Sequence, residues 1–265
     1  MPLGLKTFAS VNDAGAALKA GGARYIGGGT LVVRAANEGD VSLSTFVRST
    51  DPALSAISVE GDRATIGASV TMAAIARHPA LASISAAARA VGGPAIRNMA
   101  TVGGNLFAPA PYGDFAVALL ALDAEVLEGD QATPIEAFIK GRDADAGRIV
   151  GAVRFDVPEP KKFRFAKVAR VKPKGVSVLS IAAMFDEAAD GSIRDARIAL
   201  GCMADRPIRA LAAEKALIGR TRTADGIAPA LAAATQGTAP ITDAIASAWY
   251  RAEVLPVHLG RLLLS

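Results

Sequence analysis

Hydrophobic and polar positions along this chain switch between two periods, and the switches mark its elements. Near the N-terminus, Ser10 or Asn12 can cap the stretch AGAALKA, which Gly21 and Gly22 stop, so a first helix is expected there. Residues 24–26 read as a short strand, and 31–36 as a helix capped by Thr30. Alternation over 57–60 and 63–67 around Gly61-Asp62 predicts a hairpin. Thr71 caps a helix through Ala76, Pro79 breaks it, and a second helix runs to Val91. Downstream, 115–122 predicts a helix, 124–128 a strand, 135–141 a short turn-like element and 149–157 a strand closed by Pro158. A second hairpin, 178–186 with 193–202, turns at Asp190-Gly191. Helices follow at 207–218, near 227–235 and from about Thr242. In the last, Ile245, Ala248, Trp249, Ala252, Leu255, Leu259 and Leu262 share a face, and Pro256 should kink it.

Residues 96–114, IRNMATVGGNLFAPAPYGD, fit neither period and read as a long ordered loop, a type that usually carries function. Gly103 and Gly104 let backbone approach a ligand, free amides there could hold an anion, and Thr101 and Asn105 add polar side chains. A second glycine segment, Gly27-Gly28-Gly29-Thr30, joins a strand to a helix start, another anion-site arrangement. Neither has G-x-G-x-x-G spacing, which disfavours a standard Rossmann domain. A dinucleotide gripped from both sides would use both.

Composition narrows the class. The chain has 265 residues, ample for two or three domains, and its 51% hydrophobic content is largely alanine. Mean hydropathy is +0.33, yet no apolar run approaches the roughly 18–20 residues of a membrane helix. With no basic-then-apolar leader at the N-terminus, the expected location is cytoplasmic. The lone Cys202 cannot make a disulfide or hold an iron–sulfur cluster, and two histidines make a His-based metal site improbable. A net charge of +4 and 5% aromatics, not interleaved with basic residues, do not indicate nucleic acid. Seven basic residues fall in 161–174, which reads as a solvated strand edge or loop, with Lys167 the first choice for a phosphate or partner contact.

The motifs resemble the FAD-binding medium subunit of the molybdenum hydroxylase family (xanthine dehydrogenase, carbon monoxide dehydrogenase and aldehyde oxidoreductase type). The most specific match is I-R-N-x-A-T-[IV]-G-G-N-L at 96–106, followed by P-x-G-D at 111–114. ALLALDAEV at 118–126, the segment 196–219 and YRAEVLPVHLGRLL at 250–263 extend the resemblance over essentially the whole chain. It implies an α+β fold: a PCMH-type FAD-binding domain of two subdomains, a small α/β unit at 1–52 and a larger α+β unit at 53–162. A C-terminal domain of antiparallel sheet with helices would occupy 163–265.

The resemblance further implies an FAD-binding electron-transfer subunit of a heterotrimeric molybdenum hydroxylase. A large subunit would carry the molybdopterin cofactor, and a small subunit would carry two [2Fe–2S] clusters that pass electrons to FAD in this chain. The assembly would be a dimer of such heterotrimers. Ile26, Gly27, Gly28, Gly29, Thr30 and Leu31 would contact the FAD pyrophosphate, and Thr101, Val102, Gly103, Gly104 and Asn105 would grip it from the second subdomain. Asp114 would accept from a ribose hydroxyl, Ile149 would pack on the flavin, and Lys167 would lie close to the flavin and its phosphates. Leu31, Ala110 and Lys174 depart from the family's usual polar residue, serine and acid. A flavin-free structural or assembly subunit is the rival reading, and a stand-alone flavin enzyme of the vanillyl-alcohol oxidase type a third. His78 and His258 read as surface helix residues, Cys202 as a small buried hydrophobe, and Trp249 and Tyr250 as core or subunit contacts.

Overall fold

Among the described residues, three sheets carry the chain in a computed structural model covering residues 3–144, 147–171 and 175–265. In the first, β1 (Gly4–Phe8), β2 (Ala23–Tyr25) and β3 (Thr45–Ser49) are parallel, in the order β1-β3-β2. Parallel neighbours need crossovers, here α1 (Val11–Leu18) and α2 (Val32–Asn37). Ser10 caps α1 by accepting from the Asp13 amide at 3.1 Å. The cap of α2 falls on Leu31 rather than Thr30, and it makes no side-chain bond. β1 and β3 escape the hydrophobic pattern: no position of β1 is buried, and β3 buries the adjacent Phe46 and Val47 instead of alternating.

The second sheet is antiparallel. β4 (Ile57–Glu60) and β5 (Arg63–Gly67) form the expected hairpin, and β6 (Glu125–Glu128), β7 (Gln131–Pro134) and β8 (Ala152–Asp156) complete the order β4-β5-β8-β6-β7. Thr71 caps α3 (Met72–Arg77), as its spacing predicts. The single helix expected up to Val91 is instead a 3-10 turn, Pro79–Ile84, followed by α4 (Ser85–Ala90). The expected loop at 96–114 is a correction too: it holds α5 (Pro94–Met99), α6 (Val102–Leu106) and the start of α7 (Asp114–Ala121). Local capping outweighs the scarcity of apolar residues there. Pro94 sits in the first turn of α5, and Thr101 accepts from the Gly104 amide at 3.1 Å to start α6. Residues 135–141 form a helix, α8 (Ile135–Gly141), not a turn.

The third sheet joins β9 (Phe163–Ala169), β10 (Ser177–Glu187), β11 (Ile193–Gly201) and β12 (Ile208–Arg209) in the antiparallel order β12-β11-β10-β9. The basic stretch thus contributes an edge strand, although Lys174 lies outside the described residues. α9 (Leu211–Leu217), α10 (Ala224–Ala233) and α11 (Ala248–Leu263) follow. α11 starts six residues later than Thr242, at the Ser247 cap, and runs through Pro256 as one helix. Its inward face also differs: Trp249 is 70% exposed, whereas Arg251 is completely buried.

One helix positions the site. α7 is buried at every residue, and its sequence DFAVALLA is apolar all round after the initial Asp114. It packs on α4 and α6 on one side and on β10 and β11 on the other, so Ala182 and Ala199 share a core with Phe115, Leu119 and Leu120. Each large buried apolar side chain there contributes about 1.5–3 kcal/mol. A second core lies between the third sheet and α9–α11.

Candidate functional site

A cleft of about 1170 Å³ opens where the units built on the three sheets meet. Gly27, Gly28, Gly29, Thr30 and Leu31 form one wall, and Thr101, Gly103, Gly104 and Asn105 form another. Asp114, Ile149 and Lys167 line it as well, so twelve of the fourteen expected residues face one space. Ile26 instead faces a smaller hollow, about 420 Å³, behind the glycine segment. Val102 is fully buried and does not line the cleft. Ile149 lies just before β8 rather than within a strand, and packs with Ala14, Leu18 and Val47.

The two glycine segments differ in what they offer. The Ile26 amide donates to Val47 O at 2.8 Å, but the amides of Gly27 through Leu31 have no acceptor among the described residues. Gly29 has φ +73°, which lets this run of donors turn. Around Gly103 the expected free amides are absent, which corrects the sequence reading. Val102 donates to Val70 O, Gly103 to Ala68 O, Gly104 to Thr101 Oγ1 and Asn105 to Thr101 O. Only Thr101 keeps its amide unpaired among the described residues of that segment. Asn105 is likewise turned inward, its Nδ2 donating to Thr101 O at 2.9 Å. The second segment therefore supplies a close wall rather than a row of donors.

Glycine sets how closely these walls approach. A Cβ on Gly28 would lie 1.6 Å from Met99 O, and one on Gly27 would lie 2.9 Å from Thr101 Oγ1. A Cβ on Gly104 would meet only Thr101 Oγ1, at 3.1 Å, within 4 Å. Near the cleft, Arg34 Nη1 donates to Tyr112 Oη at 2.9 Å, joining α2 to the segment before α7.

At the far wall, burial concentrates charge. Lys167 Nζ donates to Asp114 Oδ2 at 2.9 Å and to Ala90 O at 2.8 Å. Ser177 Oγ donates to the other carboxylate oxygen, Asp114 Oδ1, at 2.6 Å. Cys202 lies beneath, its thiol donating weakly to Ser177 O at 3.5 Å and Pro111 O at 3.7 Å. Burial first, and then the neighbouring Asp114 carboxylate, pushes that thiol up to about 12, which favours the protonated form. Ser177 escapes sequence reasoning, since it merely opens an apolar strand.

Residues 4–159 match the family model described as the FAD binding domain in molybdopterin dehydrogenase. The chain belongs to this FAD-binding family. Residues 164–265 of the family member match the CO dehydrogenase flavoprotein C-terminal domain. It is 30% identical over 178 residues to the glyceraldehyde dehydrogenase medium chain of Sulfolobus acidocaldarius, covering 64% of this chain and 63% of that one. It is 33% identical over 184 residues to the nicotinate dehydrogenase FAD-subunit of Eubacterium barkeri, covering 63% and 62%. The matches thus span a little under two thirds of each of these relatives. Its fold is similar to that of a carbon monoxide dehydrogenase from Hydrogenophaga pseudoflava, with a TM-score of 0.91 at 23% identity, covering 99% of this chain and 96% of that one. The FAD-binding domain followed by a C-terminal sheet domain is therefore this family's architecture. No helix among the described residues of this FAD-binding chain is long and apolar enough to cross a membrane.

Of the other residues singled out, Cys202 lies under the far wall, and His78, His258, Trp249 and Tyr250 do not line the cleft. His78 ends α3, half-buried, with Nδ1 unpartnered among the described residues, and His258 is half-buried on α11. Cys202 is buried, whereas Trp249 and Tyr250 are exposed rather than core.

Proposed function

We propose that this chain is the FAD-carrying electron-transfer subunit of a molybdenum hydroxylase complex of the cytoplasm. In that complex a large subunit holds the molybdopterin cofactor, and a small subunit holds two [2Fe–2S] clusters that supply electrons. An external acceptor takes them away, and the complex is a dimer of heterotrimers. The single observation carrying the reading is the cleft, with unpaired amides on one glycine wall and a buried Lys167–Asp114 pair on another. We divide the chain near 52/53 and 162/163, so that the first unit carries Gly27 to Leu31, the second carries Thr101 to Asn105, Asp114 and Ile149, and the third carries Lys167.

The residues present fit FAD. The amides of Gly27 to Leu31 would hold the pyrophosphate, because a turned run of backbone donors favours an anion. Thr101, Gly103, Gly104 and Asn105 form the opposing wall, which glycine keeps free of side chains where a rigid cofactor must pass. Ile26 and Val102 act from behind these walls as packing that fixes the backbone. Asp114 would accept from a hydroxyl and Lys167 would donate to a cofactor oxygen, while Ile149 offers an apolar face. FAD, when bound, would supply the redox chemistry. The chain's own work is to orient it and to set its electrostatic surroundings.

The test is the absorbance spectrum of the chain coexpressed with its neighbouring subunits, with and without Gly104→Trp. Flavin absorption in the wild type, FAD in the acid-released extract and loss of both in a folded Gly104→Trp complex are expected. A colourless, folded wild-type complex that refuses added FAD would falsify the reading and favour a flavin-free assembly role.

A further inference from the structure

β9 and β10 do not pair in simple register. Val168 opposes Leu179, but the next residue, Ala169, opposes Ser177, so Val178 is an extra residue in β10. Such a bulge re-aims neighbouring side chains. Here Ser177, 1% exposed, has its hydroxyl on Asp114, which belongs to α7 of the preceding domain. The bulge has its own support: Val178 O accepts from Arg251 Nε at 3.1 Å. Arg251 is in turn held by both carboxylate oxygens of Asp243 at 2.9 Å and by Ile241 O at 2.7 Å.

The donor count at Lys167 makes this placement consequential. An ammonium has three N–H groups and a carboxylate has two accepting oxygens. Ala90 O takes one N–H and Asp114 Oδ2 a second. Ser177 holds Oδ1 and Lys167 meets Asp114 through Oδ2 alone, so in this orientation the carboxylate takes one N–H of the lysine. The third N–H of Lys167 has no acceptor among the described residues, and the side chain lines the cleft.

We propose that Ser177 is a positioning residue of the cofactor site: its hydroxyl fixes the Asp114 carboxylate so that Lys167 keeps one N–H, and its charge, directed at the cofactor. The proposal rests on the FAD reading above and adds a residue of the C-terminal domain to that site. It makes a side chain on a strand bulge, held from α11, responsible for the electrostatics of a cofactor bound mainly by other elements.

The experiment uses the purified complex with Ser177→Ala, Ser177→Thr, Lys167→Met and the Ser177→Ala/Lys167→Met double variant. FAD affinity is measured on the deflavo complex, and the flavin midpoint potential on the loaded one. Ser177→Ala should weaken FAD about tenfold, as expected for a hydrogen bond to a charged group, and shift the potential. Ser177→Thr, which keeps the hydroxyl, should restore both. In the Lys167→Met background, removing Ser177 should change affinity by less than about twofold, because the group through which it acts is gone. An equal loss in both backgrounds, or wild-type affinity and potential in Ser177→Ala, overturns the proposal while leaving the FAD reading intact. Should Lys167→Met not fold, the potential of Ser177→Ala and its recovery in Ser177→Thr decide the matter alone. A wild-type complex that binds no FAD overturns both readings.

Discussion

At Gly28 one absent methyl decides whether the two walls of the cleft can meet. Its Cβ would sit 1.6 Å from Met99 O and 2.4 Å from Met99 C, and these are backbone atoms that no rotamer change can move aside. Gly28→Ala should therefore separate the segments, costing about 1–3 kcal/mol of stability by overpacking. FAD affinity should fall with it, by more than about tenfold if the separation costs binding a similar energy. Thermal unfolding and FAD titration check both values; a fully stable, flavin-replete Gly28→Ala complex would show that the close approach is dispensable. Gly104→Ala makes a useful contrast, since its only close neighbour would be the Thr101 hydroxyl at 3.1 Å. The small residue there leaves room, whereas a tryptophan would occupy it.

Among the elements, α11 reaches furthest from its own sequence pattern. Leu255, Leu259, Leu262 and Leu263 bury its apolar side, yet the fully buried Arg251 lies among the inward residues. Asp243, just before the helix, is the arginine's counter-charge. Burial favours the protonated acid, but hydrogen bonds from Arg251 and from the amides of Ala246 and Ile245 outweigh it and hold the carboxyl below its usual range. The stability from this acid is complete above the ordinary carboxylate value and is lost as pH falls through the lower folded value. Arg251→Met should leave the Val178 carbonyl and the Asp243 carboxylate without their partner. Arg251 is fully buried but Asp243 is only half-buried and keeps the Ile245 and Ala246 amides, so the cost should fall below the roughly 3–5 kcal/mol of a fully buried pair, at about 2–3 kcal/mol, which denaturant unfolding would register. A loss under 1 kcal/mol would mean that the bulge is maintained without the arginine (about the worth of one ordinary hydrogen bond).

For the molecule as a whole, the cleft takes residues from each of the three units, so its occupant binds only where all three are folded. FAD present at 100 times its dissociation constant should stabilise the chain by about 2.7 kcal/mol. For a chain of this size that corresponds to roughly 5–10 °C in unfolding temperature. Differential scanning fluorimetry with and without added FAD measures it. An unchanged transition would mean that FAD does not bind the folded chain in preference to the unfolded one.

The sequence by itself determined what depends on neighbours along the chain. Turn residues set the hairpin of β4 and β5, Ser10 and Thr71 set helix starts, and the fully apolar 115–121 announced a buried helix. The motif at 96–106 carried the family, and with it most of the residues that line the cleft. Tertiary structure decided what depends on partners far along the chain. The exposed β1 is a strand because β3 supplies its hydrogen bonds, and 96–106 is helical because caps outweigh its weak apolar pattern. The amides of Gly103 to Asn105 look free in a sequence but are claimed by Ala68 and Thr101, whereas those of Gly27 to Leu31 are left open. Ser177 entered the site through a one-residue bulge and a carboxylate 63 positions away. Periodicity encodes which face of an element is buried. It does not encode which distant polar group will be waiting there, because pairing is settled only when the elements pack.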